Sequence, residues 1–261
     1  MKNDLFVHVP WKQLGPNWSF FVDNRVQPEI AFKADDFTDP AFEHVRALSA
    51  ELSQHGLRNT IHAPFLDLNP GALDPLVLEA TRKRFHQTMD CAETLASDLI
   101  VFHPGYDRWR YGSQSQLWLE TNLRFWPEFI QRAERMGCTL VLENIFEESP
   151  KTLAALLQAI DSPFFGACFD IGHWHLFGQN DLEAWLRHIG KHLRHLHLHD
   201  NHGTSDEHLP LGEGLIDFQA LFRSLDAASV CPSITLEIHE PEGIISSIAT
   251  LTRLFDSVQK L

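Results

Sequence analysis

Cysteine is scarce in this 261-residue chain: four residues, Cys91, Cys138, Cys168 and Cys231, lie far apart with no Cys-x-x-Cys pair. That spacing argues against a disulfide framework and reads as reduced, mostly buried thiols in a cytoplasmic protein. Long apolar runs are also missing. No stretch approaches the roughly 20 apolar residues needed to cross a bilayer, and the start, MKNDLFVHVPW, lacks the apolar core of a signal peptide. Positive charge is short as well, with 21 Lys+Arg against 35 Asp+Glu and a formal net charge of −14. Affinity for nucleic acid rests on clustered Lys and Arg, so a small molecule is the expected partner and nucleic acid is not. No linker, low-complexity tract or charge block divides the chain. What remains is an ordinary globular composition, 44% hydrophobic and 21% charged, carrying an unusual 16 histidines.

Periodicity predicts eight strands, at Leu5–Val9, Glu29–Lys33, Thr60–Phe65, Leu99–His103, Thr139–Glu143, Ala167–Ile171, Leu193–His199 and Ile234–Ile238. Helical spacing lies between most of them, at Pro40–His55, Val77–Ala96, Leu117–Met136, Lys151–Ile160, Leu182–His192, Phe218–Ala228 and Gly243–Gln259. Gly56, Gly137 and Gly190 stand where helix C-caps are expected. The stretch from Pro10 to Pro28 reads as an irregular loop. Eight strands alternating with helices in about 250 residues is the arithmetic of a single-domain α/β (β/α)₈ TIM barrel. A doubly wound sheet would normally carry a Gly-rich turn after its first strand, and Val9-Pro10-Trp11-Lys12 has none.

Barrel chemistry collects at the C-terminal ends of strands. Here those ends carry His62 in TIHAPF, His103 in IVFHPG, Glu143 in LVLEN, Asp170 in ACFDIGH, His197 in RHLHLHD and Glu237 in TLEIH. Alternation puts His195, His197 and His199 on one strand face and Leu196 and Leu198 on the other, so the histidines face the barrel axis. A single inward His is more often a hydrogen-bonded core residue, and a lone Asp or Glu is often a helix cap. Six consecutive strand ends of this kind are different, because buried carboxylates without a cation are costly. A divalent metal resolves the conflict, and mixed His/Asp/Glu ligation without thiolate suits Zn²⁺ or Mn²⁺. His173, just beyond Asp170, and the Asp206–His208 pair in the loop after His197 add donors to the same expected site. Arg108 and Arg110 in YDRWRYG, with Lys12 on the first loop, are the candidates for substrate phosphate contact. His175, His188, His192, His202 and His239 read as surface or supporting residues. His199 and Asp200 are expected to orient His197, and Gly212 and Gly214 to serve a backbone turn.

From Thr60 onward the sequence resembles the xylose isomerase-like TIM-barrel superfamily, which contains endonuclease IV and many sugar or sugar-phosphate isomerases and epimerases. In the endonuclease IV-type pattern the zinc ligands match His62 of HAPF, His103 of FHPG, Glu143 of LEN, Asp170 and His173 of the DxxH step, His197 of HLxD, Asp206 and His208 of DEHLPLGEG, and Glu237. All nine positions carry the required residue type. The isomerase pattern matches only Glu143, Asp170, His197 and Glu237 around one metal, with His173 toward substrate. DNA-reading members carry basic loops and a Tyr where this chain has Phe65.

The resemblance implies a metal-dependent enzyme using one to three ions, Zn or alternatively Mn or Mg. The favoured expectation is hydrolysis of a small phosphoester or phosphodiester, with Glu143 and Glu237 at the reaction centre, because it uses every residue of the constellation. The alternative is a single-metal sugar (phosphate) isomerase/epimerase with Glu143 and Glu237 as its acid/base pair. A DNA AP endonuclease fits the ligand set and not the charge, and a barrel that binds metal or sugar without catalysis leaves the two glutamates unexplained.

Overall fold

Along each strand the side chains divide between two layers. In β4, Leu99–Phe102, Ile100 and Phe102 join the core under the helices, while Leu99 and Val101 pack with Val141 and Cys168 in a separate cluster on the opposite face. The same alternation recurs on β5, Thr139–Glu143, β6, Phe165–Asp170, and β7, Leu193–Leu198. The computed structural model describes residues 5–37, 41–179 and 181–258. With β1 (Leu5–Pro10), β2 (Gln27–Ala31), β3 (Thr60–His62) and β8 (Ser233–Leu236), the strands close in sequence order into one parallel barrel, and β1 also pairs with β8. The expected (β/α)₈ barrel is present as a single domain. Among the described residues no helix is long and apolar enough to cross a membrane.

Several boundaries move, each for a local reason. β2 begins at Gln27, so Pro28 sits inside a strand, opposite Val7. The Pro10–Pro28 stretch is not loop throughout: it holds two short helices, Trp11–Leu14 and Trp18–Asn24, the second closed by Arg25 in the left-handed region. The expected Leu117–Met136 helix is two, Ser115–Phe125 and Pro127–Met136, because Pro127 has no N–H to continue the ladder. Gly137 caps the second with φ +69°, and Gly56 also takes a positive φ, but Gly190 stays right-handed and leads into a 3₁₀ turn, Gly190–His192. The helix after β3 runs Pro75–Leu95, started by Asp74 accepting from the Leu76 N–H. Pro40 and Gln259, the outer bounds expected for two helices, lie outside the described residues.

Inside the barrel the filling is unusually polar. Glu29, Thr60, His195, His197 and Thr235 are all essentially inaccessible to solvent. Barrel interiors are ordinarily layers of branched apolar side chains. This polar column leads directly up to the mouth.

Candidate metal centre

Strand register sets the centre. Asp170 of β6 pairs with His197 of β7, and Glu143 of β5 pairs with Cys168 of β6, so three polar side chains rise together at neighbouring strand ends. Glu237 follows β8, His62 ends β3 and His103 follows β4. Asp170 also caps the helix Ile171–Phe177, its Oδ1 accepting from the His173 N–H at 2.6 Å, which places His173 in the first turn beside the same cluster. Asp206 and His208 arrive from the loop after β7. There Asp200 accepts from the N–H groups of Asn201, Gly212 and Ile216. It therefore anchors the loop rather than orienting His197. A Cβ on Gly214 would lie 2.4 Å from Asp200 Oδ1, so only glycine allows this approach. His208 itself holds a left-handed backbone, φ +51°.

The donor atoms form tight, overlapping groups. His62 Nε2 and His103 Nε2 each lie 3.2 Å from Glu143 Oε2 and 3.3 Å from one another. His173 Nε2 lies 3.4 Å and His208 Nε2 3.2 Å from Asp206 Oδ2. His197 Nδ1 faces Glu237 Oε1 at 3.4 Å, Glu143 Oε2 at 3.5 Å and Asp170 Oδ2 at 3.9 Å. A tetrahedral cation with bonds of about 2.0–2.1 Å sets its donors about 3.3 Å apart. The spacing fits.

Backbone carbonyls decide which nitrogen each ring presents. His62 Nδ1–H donates to the Ala63 carbonyl, His173 Nδ1–H to that of Asn144, and His208 Nδ1–H to that of Glu237, at 3.1, 3.1 and 2.8 Å. A carbonyl can only accept, so Nδ1 carries the proton in all three and Nε2 is left for a ligand.

The electrostatics show a site built for positive charge. Burial pushes the Glu143 carboxyl up, but His197 and His103 beside it outweigh burial and hold it well below the usual carboxylate range. Burial alone would discharge His197 and His173; the acidic groups around them instead hold both well above the ordinary imidazole value. Among the described residues, buried Asp170 Oδ2, His197 Nδ1 and both ring nitrogens of His199 have no hydrogen-bond partner. Unpaired buried polar atoms are costly. Donors of these types, orphaned together, fit divalent cations.

Not every expected residue joins this centre. Arg110 lines the cavity above the cluster, but Arg108 turns away to Glu148 and the Trp109 ring. Lys12 is held by Asp35 and Asp36, at 2.8 and 2.9 Å. His199 packs on Asp170, 3.3 Å from its Oδ2, and stacks on His208 at 4.1 Å. Gly172 makes room for it, since a Cβ there would sit 2.0 Å from the His199 ring. His239 stacks on His208, His175 meets Asn201, His202 pairs with Glu207, and His188 contacts the Ala184 carbonyl.

Residues the sequence pattern did not single out also reach the site. His8, within β1, has Nε2 3.9 Å from Glu237 Oε1, and burial lowers its ring to about 4. Its signal was present in FVHVP, an inward parity on a strand whose tip carries no acid. Glu147 lines the cavity with Oε2 accepting from the Ile145 N–H, and burial raises its carboxyl to about 7. The cavity has a volume of ≈ 1100 Å³.

A family model described as a xylose isomerase-like TIM barrel matches residues 26–254. An uncharacterized protein of Methanocaldococcus jannaschii is 30% identical over 239 residues, 89% of this chain and 81% of that protein. A probable endonuclease 4 of Chlorobium luteolum is 31% identical over 202 residues, 67% of this chain and 69% of that protein. The solved structure of a D-tagatose 3-epimerase-like protein superposes with a TM-score of 0.83 at 25% identity, covering 98% of each chain. With its closed barrel and with this match across nearly all of its strands, the chain belongs to the xylose isomerase-like TIM-barrel family.

Proposed function

We propose that this protein is an enzyme that hydrolyses a small phosphate ester or phosphodiester with two or three divalent cations, zinc or else manganese or magnesium, at the barrel mouth. The convergence of five donors beyond Glu143, Asp170, His197 and Glu237 supports it: His62 and His103 crowd Glu143, while His173 and His208 crowd Asp206. A single-cation reaction has no use for those additional donors.

His62, His103 and Glu143 would hold one cation, Glu143, Asp170, His197 and Glu237 another, and His173, Asp206 and His208 a third. Bound cations supply Lewis-acid polarisation of a phosphoryl oxygen and activation of water. The chain's own groups do the rest. Glu147, with its carboxyl near neutrality and one oxygen fixed by the Ile145 N–H, holds a proton it can pass to the leaving oxygen. Among the described residues Arg110 is the only Arg or Lys lining the cavity, so it is placed to meet one phosphate charge and no extended backbone. Exposed Phe65, Leu66, Leu73, Val77 and Phe146 line the same cavity, with Phe65 stacked on His103 at 4.1 Å. That wall suits an apolar or aromatic remainder on a small substrate, and it disfavours DNA.

The likeness to a D-tagatose 3-epimerase-like structure supports a second reading, in which Glu143 and Glu237 exchange a proton at a sugar carbon beside one cation. Counting metal on protein purified without added metal separates them. Wild type should carry at least two ions per chain and cleave bis(p-nitrophenyl) phosphate. The double variant Asp206→Asn, His208→Ala should lose about one ion and the cleavage. One ion on wild type, unchanged in the variant, overturns the hydrolase and leaves the epimerase.

A further inference from the structure

Three of the histidines owe their orientation to a backbone carbonyl in a loop. His197 cannot be held that way. It lies within β7, where the carbonyls are taken up by the barrel's own ladder, and its Nε2 points down the barrel axis while Nδ1 faces the three carboxylates. What Nε2 meets is a carboxylate. Glu29 Oε1 stands 3.1 Å away, at ion-pair distance, and among the described residues neither atom makes a hydrogen bond.

Glu29 is itself built in. Its Oε2 accepts from the Thr235 hydroxyl at 2.8 Å and the Thr60 hydroxyl at 3.1 Å, and lies 3.2 Å from His195 Nε2. His195 is in turn fixed by Ser233, Oγ to Nδ1 at 2.6 Å, and by Thr235 Oγ1 at 2.8 Å from Nε2. Register produces this: Glu29 pairs with Thr60, and His197 with Thr235, so four strands deliver the network to one level of the barrel. A fully buried carboxylate among neutral hydroxyls is poor value as a stabilising device, since apolar packing of the same volume is commonly as good or better. Its presence needs another reason.

We infer that Glu29 is a positioning residue for the cation site: its carboxylate, 3.1 Å from Nε2, draws the ring proton of His197 to that nitrogen when a cation binds, which leaves Nδ1 as the ligand nitrogen aimed at Glu143, Asp170 and Glu237. The arrangement is a carboxylate–histidine–cation relay, in which the acceptor fixes both the tautomer and the ring and raises the basicity of the ligand nitrogen. Thr60, Thr235 and His195 hold the acceptor.

The inference rests on the reading that His197 holds a cation, and one titration tests the two separately. Zinc affinity is measured by chelator competition on wild type and Glu29→Gln, with melting of the metal-free proteins alongside. Losing such an acceptor typically weakens metal binding about 10- to 100-fold. That loss should fall on one ion, with the others unmoved and the metal-free melting temperature held or raised. Wild-type affinity in Glu29→Gln overturns the role of Glu29 alone. A loss spread equally over all ions with a lowered melting temperature makes Glu29 a packing residue and also overturns it. No zinc on wild type overturns both readings. If Glu29→Gln does not fold, Thr235→Val, which removes one of the donors holding Oε2 and leaves the carboxylate, should give a smaller loss confined to the same ion; none overturns the inference.

Discussion

His62 Nε2 and His103 Nε2 face each other at 3.3 Å across Glu143 Oε2, from the ends of adjacent strands. His62 Nδ1 already donates to a carbonyl, so its Nε2 offers a lone pair to the space between the rings. Two imidazole nitrogens and a carboxylate oxygen at this spacing match the donor separation of a tetrahedral cation. His103→Ala should lower the metal content by about one ion per chain while leaving the ion on His197 in place. Metal analysis of the dialysed variant checks it; an unchanged count removes His103 from the ligand set.

Glu143 is shared between donor groups, and Glu237 stands opposite it across His197. Glu143→Gln and Glu237→Gln should each reduce turnover to background with the far-UV circular dichroism of wild type, under either chemistry. Near wild-type turnover in either variant would take that carboxylate out of the reaction.

The histidine protons set a pH dependence. Burial opposes protonation of His208, but Asp206 and Glu237 outweigh it and raise the ring from 6.5 to about 9; His173 and His197 move the same way. A raised folded-state value means that this stabilisation of the metal-free fold is complete below pH 6.5 and lost as pH rises through about 9. A cation needs the unprotonated rings, so zinc affinity should climb across the same window, with protons released on binding. Metal-free melting temperature and zinc affinity, followed together, should move in opposite directions. Affinity that ignores pH would contradict the assignment of these rings.

Gly172→Ala should be costly out of proportion to its size. The added Cβ would meet the His199 ring at 2.0 Å, and that ring is wedged between Asp170 and His208. Forcing a methyl into packed surroundings typically costs about 1–3 kcal/mol. Thermal denaturation should show this loss; a stability equal to wild type would mean the ring has somewhere else to go.

Arg110→Ala should raise KM about tenfold for a phosphorylated substrate and leave kcat nearly unchanged, since Arg110 lines the cavity and is not among the clustered donors. Arg108→Ala, paired away with Glu148, should change neither. Steady-state kinetics on the two variants decides between them.

Much of this protein was legible from one dimension. Alternation along LVLE and RHLHL fixes which side chains can enter the barrel, because a strand has period two wherever it is placed. The eight-strand count fixes the architecture, and strand-end positions identify Glu143, Asp170, His197 and Glu237 as one group. Pro127 splits its helix for a reason carried by its own ring.

Other features were decided only in three dimensions. Whether Arg108 or Arg110 reaches the cavity depends on the facing of a short helix turn, on which Arg108 pairs with Glu148, forty residues away in sequence. The service of Asp200 to its own loop, in place of His197, depends on where three N–H groups come to rest. Glu29 was invisible in sequence, because its meaning lies in Thr60, Thr235, His195 and His197, which only barrel closure brings to its level. Periodicity determines the face on which a side chain lies; register and closure determine what it meets there.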